Sequence, residues 1–459
     1  MALRDWQAQC IHKAVAQYSS GVRHFFCQAT PGAGKTRMSA ELAKQLFDQN
    51  QIDAVVCLAP SCQVVEGFQL TFTQVLNKAF DGRMGAAGMA MTYQALEHQR
   101  DVFWRLFRNM RVLAIFDEIH HCSVGDGKEG ANLWGQQILQ KIQDVAVFTL
   151  ALSGTPWRSD QHAIALARYS TPEGNLIVDY QYSLSNSIAD KVCRVPHITL
   201  LDHSSVTIRH PQRDAKAYAG FAKLLRDSEV TYESLVTNPE INIKLLELAK
   251  KQLDKARQTL PDAGGLVIAS NIDHAHRLAE LLRQMGDEAV VVSTHRPDAG
   301  AAIDKFRMES SRWIIAVGMV AEGTDIPRLA VCCYLSRIRT EMHFRQVLGR
   351  VLRRRGAIDG DAWMFMLAEP LLAECAERLM DDLPEHLAFC EHLRFVAVDA
   401  GDEAQTKNSD EADGDAPTSG SESDSRSGSN ERSERDQASS ALASIVLSGY
   451  YRERLLAFF

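Results

Sequence analysis

Short apolar runs alternate with stretches of helical periodicity through the first half of the chain. The runs are His24-Phe25-Phe26-Cys27, Ala54-Val55-Val56-Cys57-Leu58, Val112-Leu113-Ala114-Ile115-Phe116 and Val147-Phe148-Thr149-Leu150-Ala151-Leu152, and polar or Gly-containing turns follow each of them. Unbroken apolar runs of this length read as strands buried on both faces, the pattern of a parallel α/β sheet. The pattern resumes at Gly265-Leu266-Val267-Ile268-Ala269, Glu288-Ala289-Val290-Val291-Val292, Trp313-Ile314-Ile315-Ala316-Val317 and Leu329-Ala330-Val331-Cys332-Cys333-Tyr334. Two sheet-forming halves thus flank a different middle. Its later part, from Ile241 to Lys251, carries apolar residues at helical spacing. The expected architecture is α/β, with two tandem parallel-sheet lobes at 1–195 and 196–398 and a helical connector over 196–260.

Beyond the second lobe the composition changes. Residues 399–440 are rich in Ser, Asp, Glu and Gly and hold no aliphatic run, so an acidic disordered linker is expected there. Residues 441–459 are apolar again and are read as a short C-terminal helix, a docking element for a protein partner. The linker explains the charge. It holds 12 of the 58 acidic residues and 4 of the 50 basic ones, so its net charge of −8 equals that of the whole chain. The remainder balances at 46 of each sign, which leaves room for a basic track on a neutral body. Ten cysteines lie scattered with no C-x-x-C pair, against both a zinc ribbon and a disulfide framework. No apolar stretch is long enough to span a bilayer, and the N-terminus lacks a secretory run. A cytoplasmic protein with no membrane partner is expected.

The chemistry begins at Ala29-Thr30-Pro31-Gly32-Ala33-Gly34-Lys35-Thr36, after a strand and before a helix. Glycines let the backbone curl so that N–H groups face phosphate oxygens, and the helix N-terminus adds a favourable dipole. Lys35 would pair with the β- and γ-phosphates of ATP, and Thr36 would offer its hydroxyl to Mg²⁺. A Gly-rich turn that happens to contain Lys-Thr is the competing reading. The second piece is Asp117-Glu118-Ile119-His120, at the end of its own apolar strand. Asp117 there suits Mg²⁺, and Glu118 suits a base that orients water and takes its proton. Taken alone, the carboxylate pair would read as a solvated loop.

Together these segments resemble superfamily 2 helicases and translocases. Asp117-Glu118-Ile119-His120 is similar to their D-E-x-H box, and Ala-x-x-Gly-x-Gly-Lys-Thr to their form of the P-loop. The other motifs follow in order. Leu3-Arg4-Asp5-Trp6-Gln7 resembles the L-R-x-aromatic-Q element, in which Arg4 and Gln7 would read the adenine edge. Leu58-Ala59-Pro60-Ser61 and Met91-Thr92-Tyr93-Gln94-Ala95-Leu96 resemble first-lobe segments that touch the nucleic-acid backbone. Ser153-Gly154-Thr155-Pro156 resembles the S/T-A-T-P coupling motif, with Gly154 in place of the usual Ala. Gly323-Thr324-Asp325-Ile326-Pro327 resembles motif V, where Gly323 and Asp325 would face the nucleotide. Gln346-Val347-Leu348-Gly349-Arg350-Val351-Leu352-Arg353 matches Q-x-x-G-R-x-x-R. Its Arg350 and Arg353 lie three apart, so a shared helix face is expected, pointing both at the γ-phosphate as arginine fingers. Arg354 and Arg355 read as a solvated face.

The resemblance implies two RecA-like lobes with ATP and Mg²⁺ between them, and a nucleic-acid partner, DNA before RNA. Val178-Asp179-Tyr180-Gln181-Tyr182 and Ala189-Asp190-Lys191-Val192-Cys193-Arg194 are similar to a bacterial and phage-associated group akin to the motor of restriction enzymes. An RNA helicase of the same superfamily and an ATP-gated DNA-binding module in a defence or mobile-element complex remain the alternatives. His121 and Cys122 read as packing or loop residues rather than metal ligands. His295 and Arg296 read equally as nucleic-acid contacts or as a polar strand end.

Overall fold

Every apolar run of the first half becomes a strand: β1 (His24–Ala29), β2 (Ala54–Ala59), β4 (Val112–Asp117) and β5 (Phe148–Ser153), joined by β3 (Gly88–Thr92) and β6 (Tyr180–Tyr182), which no such run announced. They form one sheet in the order β6-β1-β5-β4-β2-β3, in which all neighbours are parallel. Successive side chains of a strand face opposite sides, so an unbroken apolar run must be covered twice. Val55, Cys57, Leu113 and Ile115 pack into a core with Leu42 and Leu46 of α2 (Lys35–Asp48) and Phe68 and Phe72 of α3 (Cys62–Leu76). Val56, Leu58, Ala114 and Phe116 pack on the other face with Tyr93 and Leu96 of α4 (Tyr93–Leu96) and with Phe103, Trp104 and Phe107 of α5 (Asp101–Asn109). The N-terminal α1 (Asp5–Ser19) buries Trp6, Cys10, Ile11 and Ala14 in the first of these cores.

This computed structural model describes residues 3–124, 133–155, 162–210, 213–293, 298–318, 326–356, 359–381, 389–396 and 444–458. The expected linker at 399–440 and the residues His295 and Arg296 lie outside them.

The second half supplies β7 (Pro196–His203), β8 (Val206–His210), β9 (Arg213–Tyr218), β10 (Gly264–Ile268), β11 (Ala289–Ser293), β12 (Trp313–Val317), β13 (Leu329–Tyr334) and β14 (Ala362–Leu367), followed by β15 (Phe389–Val396), β16 (Ser444–Leu447) and β17 (Tyr451–Phe458). Eight of these make a sheet in the order β11-β12-β10-β13-β14-β7-β17-β15, and its first five strands pair in parallel. Helices of this half include α6 (Phe221–Asp227), α7 (Pro239–Thr259), α8 (Ile272–Gln284), α9 (Ala299–Met308), α10 (Glu341–Val351) and α11 (Pro370–Asp381). The α7 helix starts where sequence chemistry puts it: Asn238 caps the Ile241 N–H and Pro239 takes the first turn. The chain is thus two tandem RecA-like lobes.

Two expectations are corrected. The connector over 196–260 is not helical throughout, because β7, β8 and β9 lie within 196–218. Val206, Thr207 and Ile208 are β-branched residues, which favour a strand. The C-terminal segment is not a helix but two strands, β16 and β17. Ile445 and Val446 favour the extended form, and Gly449 turns the chain at φ 132°. That conformation favours glycine, and a Cβ there would also stand 2.4 Å from the Ser204 hydroxyl.

The described chain forms two compact units. The larger comprises 1–200, 231–392 and 455–459; the smaller comprises 201–230 and 393–454. The smaller unit contains the antiparallel sheet β9-β8-β16. Among the described residues, no helix is long and apolar enough to cross a membrane.

Candidate nucleotide site

The turn between β1 and α2 passes through Gly32 at φ 84° and Gly34 at φ 98°, left-handed values that glycine adopts without strain. The first N–H groups of α2 have no partner within the helix and face outward at its N-terminus, beside Lys35 and Thr36. The loop is held from several sides. Thr30 N–H donates to Tyr182 O at 3.1 Å, and Ala33 N–H to Thr30 O at 3.2 Å. Arg4 donates through Nη1 to Ala33 O at 2.5 Å, and Gln7 through Nε2 to Gly34 O at 3.0 Å. Gln7 Oε1 meanwhile accepts the Arg4 N–H at 3.0 Å. The two residues expected at the adenine edge therefore clamp the backbone of the phosphate loop. Trp6 between them stacks on Tyr182, with centroids 4.7 Å apart, and ties α1 to the edge strand β6.

At the end of β4 the chain turns sharply, and Glu118 takes the left-handed conformation at φ 49°. This turns its carboxylate toward the loop, where Oε1 lies 2.6 Å from Lys35 Nζ. Its Oε2 accepts the Gly154 N–H at 3.2 Å and stands 3.4 Å from His120 Nδ1. His120 is buried, and its Nδ1 lies 2.9 Å from Ser153 Oγ. The box and the coupling motif thus share one hydrogen-bonded cluster.

The two carboxylates are pushed apart. Burial raises both, but at Glu118 the Lys35 ammonium, the His120 ring and the Gly154 N–H outweigh it and hold its carboxyl below the usual range. At Asp117 burial prevails over Lys35, with Glu118 adding to the rise, and the carboxyl is lifted well above its ordinary value. For Lys35 burial acts downward, and Glu118 and Asp117 more than offset it, so the ammonium is retained. Glu118 keeps the charge of a base, while Asp117 is a buried carboxylate short of positive charge. That shortage fits a divalent cation.

Pro31 of the loop sits between two glycines. A Cβ on Gly154 would stand 2.9 Å from Pro31 Cδ, and one on Gly349 would stand 2.7 Å from Pro31 Cβ. This explains the departure from the usual Ala at 154: the proline already occupies that space. Arg353 lies over the same loop, its Cγ 3.0 Å from where a Gly32 Cβ would be. Gln346 and Arg350 are buried on α10. The shared helix face expected of Arg350 and Arg353 is corrected. The α10 helix closes at Val351, and Arg353 lies beyond it in a bridge to Cys193. Arg355 is not merely solvated, since it pairs with Asp262 at 2.6 Å. Gly323 and Asp325 lie outside the described residues. Cys122 is buried in the core, as expected.

Sequence reasoning passed over Arg194 as a site residue. Its side chain is fully buried and donates to Val351 O at 2.9 Å, to Pro327 O at 3.1 Å, to Leu329 O, and to Asp359 Oδ1 at 2.9 Å. Its own N–H reaches Leu352 O at 2.7 Å. One guanidinium therefore fixes the end of the arginine-bearing segment to the start of β13.

Residues 1–158 match the family model of the type III restriction enzyme, res subunit. A DNA 3'-5' translocase, XPB2, of Sulfurisphaera tokodaii is 22% identical over 77% of this chain and 79% of its own length. A solved fragment assigned as the HsdR subunit of a type I restriction enzyme from Vibrio vulnificus YJ016 superposes with a TM-score of 0.57. It shares 17% identity and covers 83% of this chain and 67% of the fragment. The chain is similar to superfamily 2 helicases and translocases. An uncharacterized protein of Mycobacterium leprae (strain TN) is 30% identical over 82% of this chain. The chain spans 64% of that relative, under two thirds of its length.

Proposed function

We propose that the chain hydrolyses ATP with Mg²⁺ and uses the cycle to translocate on duplex DNA. The observation that carries this reading is the Lys35–Glu118 pair, 2.6 Å apart beside a charge-deficient Asp117 at the mouth of the phosphate loop. Lys35, the N-terminus of α2 and Gly32-Ala33-Gly34 would hold the phosphates. Thr36 and Asp117 would hold Mg²⁺, which when bound neutralises charge on the phosphate oxygens. Glu118, ionised by its neighbours, would orient the attacking water and take its proton. His120 keeps Glu118 aligned and passes its position to Ser153 and Gly154. Arg353, with Arg350, would stabilise charge on the transferred phosphoryl group. Motif V, with Gly323 and Asp325, and the gripping segments at 58–61 and 91–96 would turn lobe movement into stepping.

DNA is favoured because the L-R-x-aromatic-Q element is in place on the phosphate loop, and because a matched relative carries the name of a DNA translocase. The test is ATPase activity across double-stranded DNA, single-stranded DNA and RNA, with displacement of a triplex third strand as the readout of movement. Stimulation by duplex DNA together with displacement is expected. Stimulation by RNA alone overturns the DNA reading, and duplex stimulation without displacement leaves an ATP-gated clamp.

A further inference from the structure

In the first sheet β3 and β4 are not neighbours, because β2 runs between them. With strands about 4.8 Å apart, their ends stand roughly 10 Å from each other. One side chain crosses that gap. Tyr93, immediately after β3, places its hydroxyl 2.8 Å from the carbonyl oxygen of Asp117, the last residue of β4. Tyr93 is fully buried, and Trp134 stacks over its ring with centroids 5.8 Å apart. The indole N–H of Trp134 donates to Glu97 Oε1 at 2.5 Å, just after α4. The short helix that carries Tyr93 is therefore held at both ends: Thr92 caps it through the Ala95 N–H, and Trp134 braces its far side. Burial pushes the Tyr93 hydroxyl well above its usual range, so it stays protonated and donates.

The carbonyl it grips belongs to the peptide that joins Asp117 to Glu118. Orientation of that peptide sets where both carboxylates point. Its far side is Glu118 in the left-handed conformation, which a non-glycine residue holds only when its surroundings enforce it. The Tyr93 hydroxyl is one such enforcing contact, and it comes from the segment 91–96 proposed to grip the nucleic-acid backbone.

We infer that Tyr93 is a positioning residue that couples nucleic acid held on segment 91–96 to the orientation of the Asp117–Glu118 peptide, and so to the rate of hydrolysis. The inference rests on the proposed function. Tyr93→Phe removes the one oxygen and keeps the buried ring. In the full chain, kcat is measured without polymer and with saturating duplex DNA, together with KM for ATP, the Kd for a labelled duplex and the melting temperature. The ratio of stimulated to unstimulated kcat is expected to fall at least about fivefold, the low end of an ordinary coupling, while KM and Kd move by less than about twofold. Para-aminophenylalanine at position 93 keeps a donor aimed at the same carbonyl and is expected to restore the ratio. An unchanged ratio in Tyr93→Phe overturns the inference alone, provided the parent is stimulated. A Kd that rises several-fold while the ratio at saturation holds also overturns it, since Tyr93 would then act through binding alone. A parent that no polymer stimulates overturns both this inference and the function on which it rests.

Discussion

Pro31 Cδ stands 2.9 Å from the position that a Cβ on Gly154 would take. The phosphate loop and the coupling motif thus meet at a contact with no spare volume, and Gly349 closes on the same proline from α10. Gly154→Ala, the residue usual at this place in the superfamily motif, is expected to displace the loop and slow turnover by about tenfold to a hundredfold, the scale of an ångström-sized misplacement. Pro31→Ala removes the opposing ring atoms. The double variant should therefore recover much of the loss, and a double-mutant cycle on kcat measures that coupling. Additive losses in the cycle would show that the contact is not the cause.

The ion pair between Lys35 and Glu118 gives a second expectation. Phosphate must take Lys35 over from Glu118. Glu118→Gln removes the competing charge, so ATP affinity should hold or tighten, while turnover falls by at least about 10² with loss of the base. Calorimetric titration and steady-state ATPase separate the two effects. Near-normal turnover in this variant removes Glu118 from its proposed role.

Asp117 links the site to stability. Its folded-state pKa lies above the unfolded one, so the stability it contributes is present at low pH and is lost as pH rises through the folded value. Asp117→Asn removes that loss. Without nucleotide, the variant should melt at or above the parent temperature, and its advantage should grow between pH 5 and 8. Hydrolysis should be abolished. Thermal melts across that pH range check the sign, and an advantage that shrinks with pH contradicts it.

Arg353 reaches the loop from beyond the end of α10, over Gly32. In the proposed arginine-finger role, Arg353→Ala should lower kcat by roughly 10³ or more, with KM for ATP changed only a few-fold. A loss confined to KM would make it a binding residue instead.

Much of this was legible in the sequence for a physical reason. Asp117 and Glu118 sit at the end of one unbroken apolar run, Lys35 and Thr36 follow another after a short glycine-containing loop, and a parallel sheet brings its strand ends to one edge. What stayed hidden depends on distant partners. Arg194 looks ordinary because Pro327, Leu329, Val351 and Asp359 lie more than 130 residues along the chain. Tyr93 looked like part of a gripping motif, and nothing local shows that its hydroxyl turns inward. The spacing of Arg350 and Arg353 suited one helix, but i, i+3 spacing carries no information about where a helix stops. The C-terminal strands escape a sequence reading because a short apolar run has no decisive period, and the need for Gly449 shows only in its backbone turn beside Ser204.

The attachment of Arg194 bears on how such a chain changes over generations. Its flat, multi-pronged donor set satisfies three carbonyls and Asp359 at once, which the single nitrogen of a lysine does not reproduce. Loss of either partner leaves the other buried and uncompensated. Positions 194 and 359 are therefore expected to be inherited as a pair, and descendants that keep one without the other should be scarce even where the surrounding loops diverge freely.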